Sequence, residues 1–147
     1  MNDKKTDITA TIVKLLEGEG FSPRAVEYYL KQINVGRIKE PSASFVFTGP
    51  CGDTVEIYLL IKGEVIEDAK FITTGCSASF CSGSALTEIL KGKTLKEAEE
   101  IEGEDILKHL GGSFPAQKVH CVHLVKRVLE EALAQYRKKH SKRVDPK

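Results

Sequence analysis

Three cysteines, each beside a small or ionisable residue, carry the chemistry this chain can do. Cys51 lies in Gly49-Pro50-Cys51-Gly52-Asp53, Cys76 in Gly75-Cys76-Ser77-Ala78, and Cys121 in Lys118-Val119-His120-Cys121. Thiolate sulfur suits zinc, copper(I) and iron–sulfur clusters, whereas oxygen-only sites suit magnesium or calcium. Brought together by a fold, with the Asp53 carboxylate and the His120 imidazole close by, the three would make a soft metal site. Gly52 lets a ligand approach the backbone closely. Asp53 can point into the same space as Cys51, although capping its own turn is the ordinary use of such a residue. Cys76 stands where a strand should give way to a helix, and backbone N–H groups at a helix start favour a thiolate. The same argument applies more weakly to Cys121, in the last helix.

The remaining candidates read more plainly. Cys81 sits between Phe80 and Ser82 in a run of small residues and is expected to pack near the site rather than bind metal. His123 should lie nearly opposite Cys121 on its helix, as a surface histidine. His109 and His140 read as solvated. No paired C-x-x-C knuckle exists, so a folded domain has to assemble the site.

The elements that must do so are legible in periodicity and punctuation. Ile8, Ile12, Val13, Leu15 and Leu16 space a helix over residues 8–17, ended by Gly18 and Gly20. Ser22-Pro23 is a cap followed by a first-turn proline, opening a helix to about Gln32. Asn34-Val35-Gly36 reads as a turn. Phe45-Val46-Phe47 is a strand candidate. Thr54–Ile61 alternates, with Val55, Ile57, Leu59 and Ile61 on one face and Glu56 and Tyr58 on the other. Lys62-Gly63-Glu64 turns it into a return strand, Val65–Thr73, with Ala69, Phe71 and Thr73 on one face. A helix after Gly75 carries Ser84, Ala85, Leu86, Ile89 and Leu90 and stops at Gly92. Thr94-Leu95-Lys96-Glu97 is a capping box. A short helix spans 104–110. Pro115 stands near the start of the last helix, whose Val122, Val125, Val128, Leu129, Ala132 and Leu133 point inward. This order argues an α+β layer architecture with a small antiparallel sheet of about three strands.

The bulk numbers narrow the function classes. With 147 residues the chain reads as one domain, residues 1–147, long enough to bury a core without staples. Apolar residues make up 41% and charged residues 29%, excluding a disordered or membrane-embedded chain. The net charge of +1 gives no bulk bias toward nucleic acid. No apolar run reaches the length of a membrane span. The N-terminus leads into a charged amphipathic stretch rather than a signal-peptide core, so a cytoplasmic, reducing setting is expected. There the four cysteines read as metal or thiol chemistry rather than disulfides. The basic run over 137–147 reads as a solvated helix end matched to its dipole.

At these residues the chain closely resembles the IscU/NifU N-terminal family of iron–sulfur cluster assembly scaffolds. The matching phrases, in order, are Asn34-Val35-Gly36, Cys51-Gly52-Asp53, Ile66-Glu67-Asp68-Ala69-Lys70-Phe71, Gly75-Cys76, Leu86-Thr87-Glu88, Lys91-Gly92-Lys93-Thr94-Leu95 and Lys118-Val119-His120-Cys121. The likeness runs from about Tyr28 to Tyr136, leaving residues 1–20 as an extra N-terminal helix. It implies an IscU/SufE-like α+β fold, a three-stranded sheet with helices packed on one face. It implies Cys51, Cys76 and Cys121 as thiolate ligands, Asp53 or His120 as the fourth, and Lys118 as a lysine near the site. It implies a scaffold rather than an enzyme. A cysteine desulfurase delivers persulfide sulfur, an iron donor brings iron, and a [2Fe–2S] cluster forms and passes to apo acceptor proteins. Cys121 is the expected persulfide acceptor, homo-oligomerisation stays open, and neither nucleic acid nor membrane is a partner.

There are departures from the family pattern. Its chaperone motif Leu-Pro-Pro-Val-Lys stands here as Phe114-Pro115-Ala116-Gln117-Lys118, which leaves a dedicated chaperone pair without its signal. Phe-Pro-Ala resembles the SufU branch, in which zinc holds the acceptor thiol. His120 and the short connection 101–113 resemble the IscU branch. A zinc-bound sulfurtransferase partner is therefore the alternative reading, with Zn2+ also a candidate occupant of the cluster-free protein as purified. A thiol hydrolase built on Cys51 and His120 is disfavoured, because the Cys51 loop runs into a strand rather than a helix start. A purely structural zinc domain is the remaining rival.

Overall fold

A computed structural model describes residues 3–50 and 52–144, with side chains over 8–50 and 52–139. The order is α1 (Asp3–Glu19), α2 (Pro23–Lys31), β1 (Ala43–Thr48), β2 (Thr54–Lys62), β3 (Val65–Thr73), α3 (Ser77–Leu90), α4 (Leu95–Glu99), α5 (Gly103–His109) and α6 (Val119–Val144). A single 3₁₀ turn, Ala116–Lys118, leads into α6.

The sheet is an antiparallel meander, β1-β2-β3. Gly63 and Glu64 both adopt positive φ, 56° and 67°, so two residues close the β2–β3 hairpin with the twist the strands need. Strict alternation breaks once. Leu59 pairs with Ala69 and Leu60 with Asp68, but Ile61 pairs with Ile66, so Glu67 bulges out of the ladder. The bulge returns Ile66 to the buried face that also holds Ala69 and Phe71. Tyr58 shares the face of Glu56, as the alternation predicts, but is covered there. Opposite Ser44 and Lys70, it is buried, and its hydroxyl bonds Glu56.

Helices cover one face of this sheet, with α3 against β3 and α6 against β1 and β2. The expected apolar stripe on α3 is wider than the sequence suggests. The helix is buried nearly all round, and its small residues allow close approach. A Cβ on Gly83 would stand 2.6 Å from Phe71 Cδ2, so glycine is what lets α3 lie on β3. The buried hydroxyls are absorbed locally. Ser82 Oγ donates to Ala78 O and Thr87 Oγ1 to Gly83 O, each at 2.7 Å. Ser84 Oγ reaches Ile33 O at 2.7 Å.

The caps fall where the sequence puts them. Ser22 Oγ accepts from Ala25 N at 3.0 Å ahead of Pro23. Thr94 and Glu97 form a reciprocal capping box. The family phrases around Asn34 and Lys91 prove to be a structural clamp. Lys91 Nζ donates to Asn34 Oδ1 at 2.7 Å and pairs with Asp68 at 3.3 Å, while Asn34 Nδ2 donates to Thr87 Oγ1 at 3.1 Å. This clamp holds Asn34 at φ 63°. Arg137, at the head of the basic terminal run, pairs with Glu99. Among the described residues no helix is long and apolar enough to cross a membrane.

Candidate metal centre

The fold gathers Asp53, Cys76 and Cys121. One ligand atom from each, a carboxylate oxygen and two sulfurs, lies within 4.8 Å of the other two. Each comes from an element junction. Asp53 ends the tight loop between β1 and β2, in which Gly52 N donates to Gly49 O and Gly49 N to Asp53 O, both at 2.9 Å. Gly52 sits at φ 93°, a conformation glycine adopts without strain. Cys76 is the N-cap of α3, extended at φ −82° and ψ −175°, and its carbonyl accepts from Ser79 N and Phe80 N. Cys121 is the third residue of α6, in the first turn rather than deeper in the helix. Cys51 lies outside the described residues.

The two sulfurs differ in setting. Cys76 is exposed, and Lys118 Nζ donates to its sulfur at 3.7 Å. Cys121 is fully buried. Burial pushes its thiol up to about 11, and the neighbouring Cys76 and Asp53 add to that, against a hydroxyl contact from Ser79 that favours the thiolate. The ammonium of Lys118 therefore serves Cys76, although in sequence it stands nearer Cys121.

Among the described residues, the hydrogen bond to the Asp53 side chain comes from outside its own turn. Its Oδ2 accepts from Ser79 Oγ at 3.2 Å, across to the first turn of α3. Ser79 carried no signal in the sequence, where it is one small residue among several. Cys81 is buried, outside the three-ligand group, and donates from Sγ to Ala25 O at 3.1 Å. Burial drives its thiol up to about 12.

His120 is exposed and does not join the three-ligand group. Its Nδ1 lies 3.1 Å from Gln117 O. A carbonyl only accepts, so Nδ1 carries the proton in that contact, and in the neutral ring Nε2 keeps its lone pair. His120 and His123 both border an apolar hollow of about 490 Å³ floored by Phe47, Pro50 and Leu124. A larger hollow of about 590 Å³, lined by Arg24, Glu97, Asp105 and His109 among others, touches none of the described thiols.

His109 corrects its reading as a solvated side chain. Its Nε2 lies 2.8 Å from Glu88 Oε1, which also accepts from Tyr28 Oη, and its ring stacks on Tyr28 at 5.9 Å. The arrangement ties α2, α3 and α5 together, away from the sulfurs. The side chain of His140 lies outside the described residues.

Two sulfurs and a carboxylate at this spacing are a ligand set for zinc or iron and, among the described residues, an incomplete one, since such metals take four donors. Residues 21–143 match the model of the NifU-like N-terminal domain. The iron-sulfur cluster assembly scaffold protein IscU 1 of Archaeoglobus fulgidus is 37% identical over 123 residues, covering 83% of this chain and 80% of that protein. IscU of Escherichia coli K12 is 33% identical over 124 residues, covering 81% and 95%. Among solved structures, the iron-sulfur cluster assembly scaffold protein for the SUF system of Fervidobacterium islandicum superposes with a TM-score of 0.64 at 26% identity, over 77% of this chain and 96% of that one. A NifU-like N-terminal protein of Brucella abortus matches in fold, with a TM-score of 0.64 at 20% identity over 80% and 94%.

Proposed function

Since the chain belongs to the NifU-like N-terminal domain family, we propose that it is an assembly scaffold, not an enzyme, on which a [2Fe–2S] cluster is built and then handed on. The observation that carries this is the convergence of Asp53, Cys76 and Cys121 within 4.8 Å, at three chain segments that meet only in the folded state. Cys51 is the third thiolate in this reading, two residues before Asp53. Asp53 fills the fourth position in this arrangement, and His120 is the ligand that can exchange with it. Its proton is held at Nδ1 by Gln117, which leaves Nε2 for metal. The whole chain acts as one domain, with α1 added ahead of the family match and 137–147 as a basic tail.

The cluster is cargo, so its ligands have to hold it and also let it go. Thiolates bind iron firmly, while a carboxylate or imidazole is a weaker partner for iron–sulfur chemistry. Sulfur arrives as the terminal atom of a persulfide on a cysteine desulfurase. A thiolate of this chain attacks that atom, becomes a persulfide and releases the desulfurase thiol, with no net oxidation. Of the two described candidates, the setting of Cys76 supports it as the receiving sulfur more strongly than Cys121. Cys76 is exposed and bonded to Lys118, whereas Cys121 is buried and burial pushes its thiol up. Mass spectrometry after incubation with desulfurase and cysteine, without iron, locates the added sulfur. Its appearance mainly on Cys121 would bear out the expectation drawn from the sequence.

A zinc-bound sulfur acceptor is the second reading. The ligand set supports it equally well chemically, and the structural likeness to a SUF-system protein is consistent with it. Anaerobic reconstitution with iron, cysteine and a desulfurase separates the two. A scaffold gains the visible absorption and Mössbauer signature of a [2Fe–2S] cluster and passes it to an apo-ferredoxin. A zinc acceptor stays colourless and retains zinc.

A further inference from the structure

Ser79 is fully buried, one helical turn from Cys76, and its hydroxyl points into the ligand group. It donates to Asp53 Oδ2 at 3.2 Å and also lies in hydrogen-bond reach of the Cys121 thiol. Among the described residues no other side chain bonds the Asp53 carboxylate. A partly buried aspartate at the end of a short loop has several rotamers open to it, including ones directed at solvent. A single buried donor fixed to a helix selects the one that faces the sulfurs.

Gly75 shows that the contact is built into the chain. A Cβ there would stand 2.8 Å from both Asp53 Oδ2 and Ser79 Cβ, and closer still to Ser79 Oγ. Gly75 is not among the positive-φ glycines. Its missing side chain therefore makes room for the Asp53–Ser79 pair rather than a backbone turn.

We infer that Ser79 is a positioning residue of this centre, and that its hydroxyl holds the Asp53 carboxylate in place as a ligand beside Cys76 and Cys121. The inference rests on the reading of those three residues as a metal site. Metal ligands are commonly oriented by such hydrogen-bonded neighbours, whose loss typically costs about 10–100-fold in affinity.

The test uses Zn2+ in competition with a chelator on the full chain, and Co2+ absorption as a report of the ligand set. Ser79→Ala should bind Zn2+ at least about tenfold more weakly. Its Co2+ spectrum should shift as that of Asp53→Ala does. Asp53→Ala combined with Ser79→Ala should bind no more weakly than Asp53→Ala alone, because both remove the same ligand. Gly75→Ala, which leaves both residues in place but crowds them, should reproduce the Ser79→Ala spectrum and serves if Ser79→Ala folds poorly. Ser79→Ala with wild-type Zn2+ affinity, while Cys76→Ser loses Zn2+, would overturn the role of Ser79 alone. So would losses in the Asp53 and Ser79 variants that simply add. Cys76→Ser with undiminished affinity would remove the site, and the inference with it.

Discussion

The sulfurs of Cys76 and Cys121 lie within 4.8 Å of one another, yet Cys76 is exposed and Cys121 is buried. The pair should therefore respond unequally to a thiol reagent. In metal-free protein, timed alkylation read by mass spectrometry should label Cys76 first. Cys121 should lag and Cys81 should stay unlabelled in the folded state, their thiols held at about 11 and about 12. Zinc should protect Cys76. Equal rates at Cys76 and Cys121 would mean that the first turn of α6 opens readily.

Cys81 should shape alkaline stability. Its thiol rises from an ordinary 9.0 to about 12 in the folded protein, with burial the main cause and the charge of Cys76 next. A raised folded value means that the folded state keeps a proton the unfolded chain gives up. The associated stability is whole below pH 9 and is lost as pH climbs from 9 to 12. Denaturant unfolding of wild type and Cys81→Ala should thus show wild type the more stable at pH 8, with the gap narrowing above pH 9. A gap constant to pH 11 would contradict this account of Cys81.

Glu88→Ala should cost about 1–3 kcal/mol, because it leaves the buried Tyr28 hydroxyl without its acceptor. Burial pushes the Glu88 carboxyl up, but hydrogen bonds from Tyr28 and His109 outweigh it and hold it below the usual 4.5. A lowered folded value gives stability that is present above 4.5 and lost as pH falls. The difference between wild type and variant, measured by urea unfolding, should be full at pH 7 and shrink below pH 4.5. No difference at pH 7 would reduce the Tyr28–Glu88–His109 arrangement to a surface contact.

Asp53→Ala should lengthen the lifetime of a bound cluster and slow its transfer. A carboxylate is a hard ligand among thiolates and brings water with it, so its loss leaves a drier and less replaceable set. Decay of visible absorbance and delivery to an apo-ferredoxin, followed for both proteins, measure the two effects. A variant that matches wild type in both would leave Asp53 without a part in release.

The elements of this fold were legible because each carries its own local signal. Ser22-Pro23, the Thr94–Glu97 box, the Gly63-Glu64 turn and the alternation of β2 all act within a few residues. The phrases around the cysteines marked the site for the same reason. Contacts that join distant segments left no such trace. Ser79 and Gly75 are two small residues in a run of them, and only the meeting of α3 with the Asp53 loop gives them roles. His109 looked solvated because Glu88 and Tyr28 lie on other helices. The bulge at Glu67 and the all-round burial of α3 likewise depend on partners across the sheet.

The central claim is that the thiolates of Cys51, Cys76 and Cys121 hold the cluster and that Cys81 does not. Single serine variants, reconstituted anaerobically with iron and desulfurase, test it by iron content per chain. Cys51→Ser, Cys76→Ser and Cys121→Ser should each retain little or no cluster, and Cys81→Ser should retain as much as wild type. A Cys81→Ser protein as empty as Cys76→Ser, or a Cys121→Ser protein as full as wild type, would contradict the account.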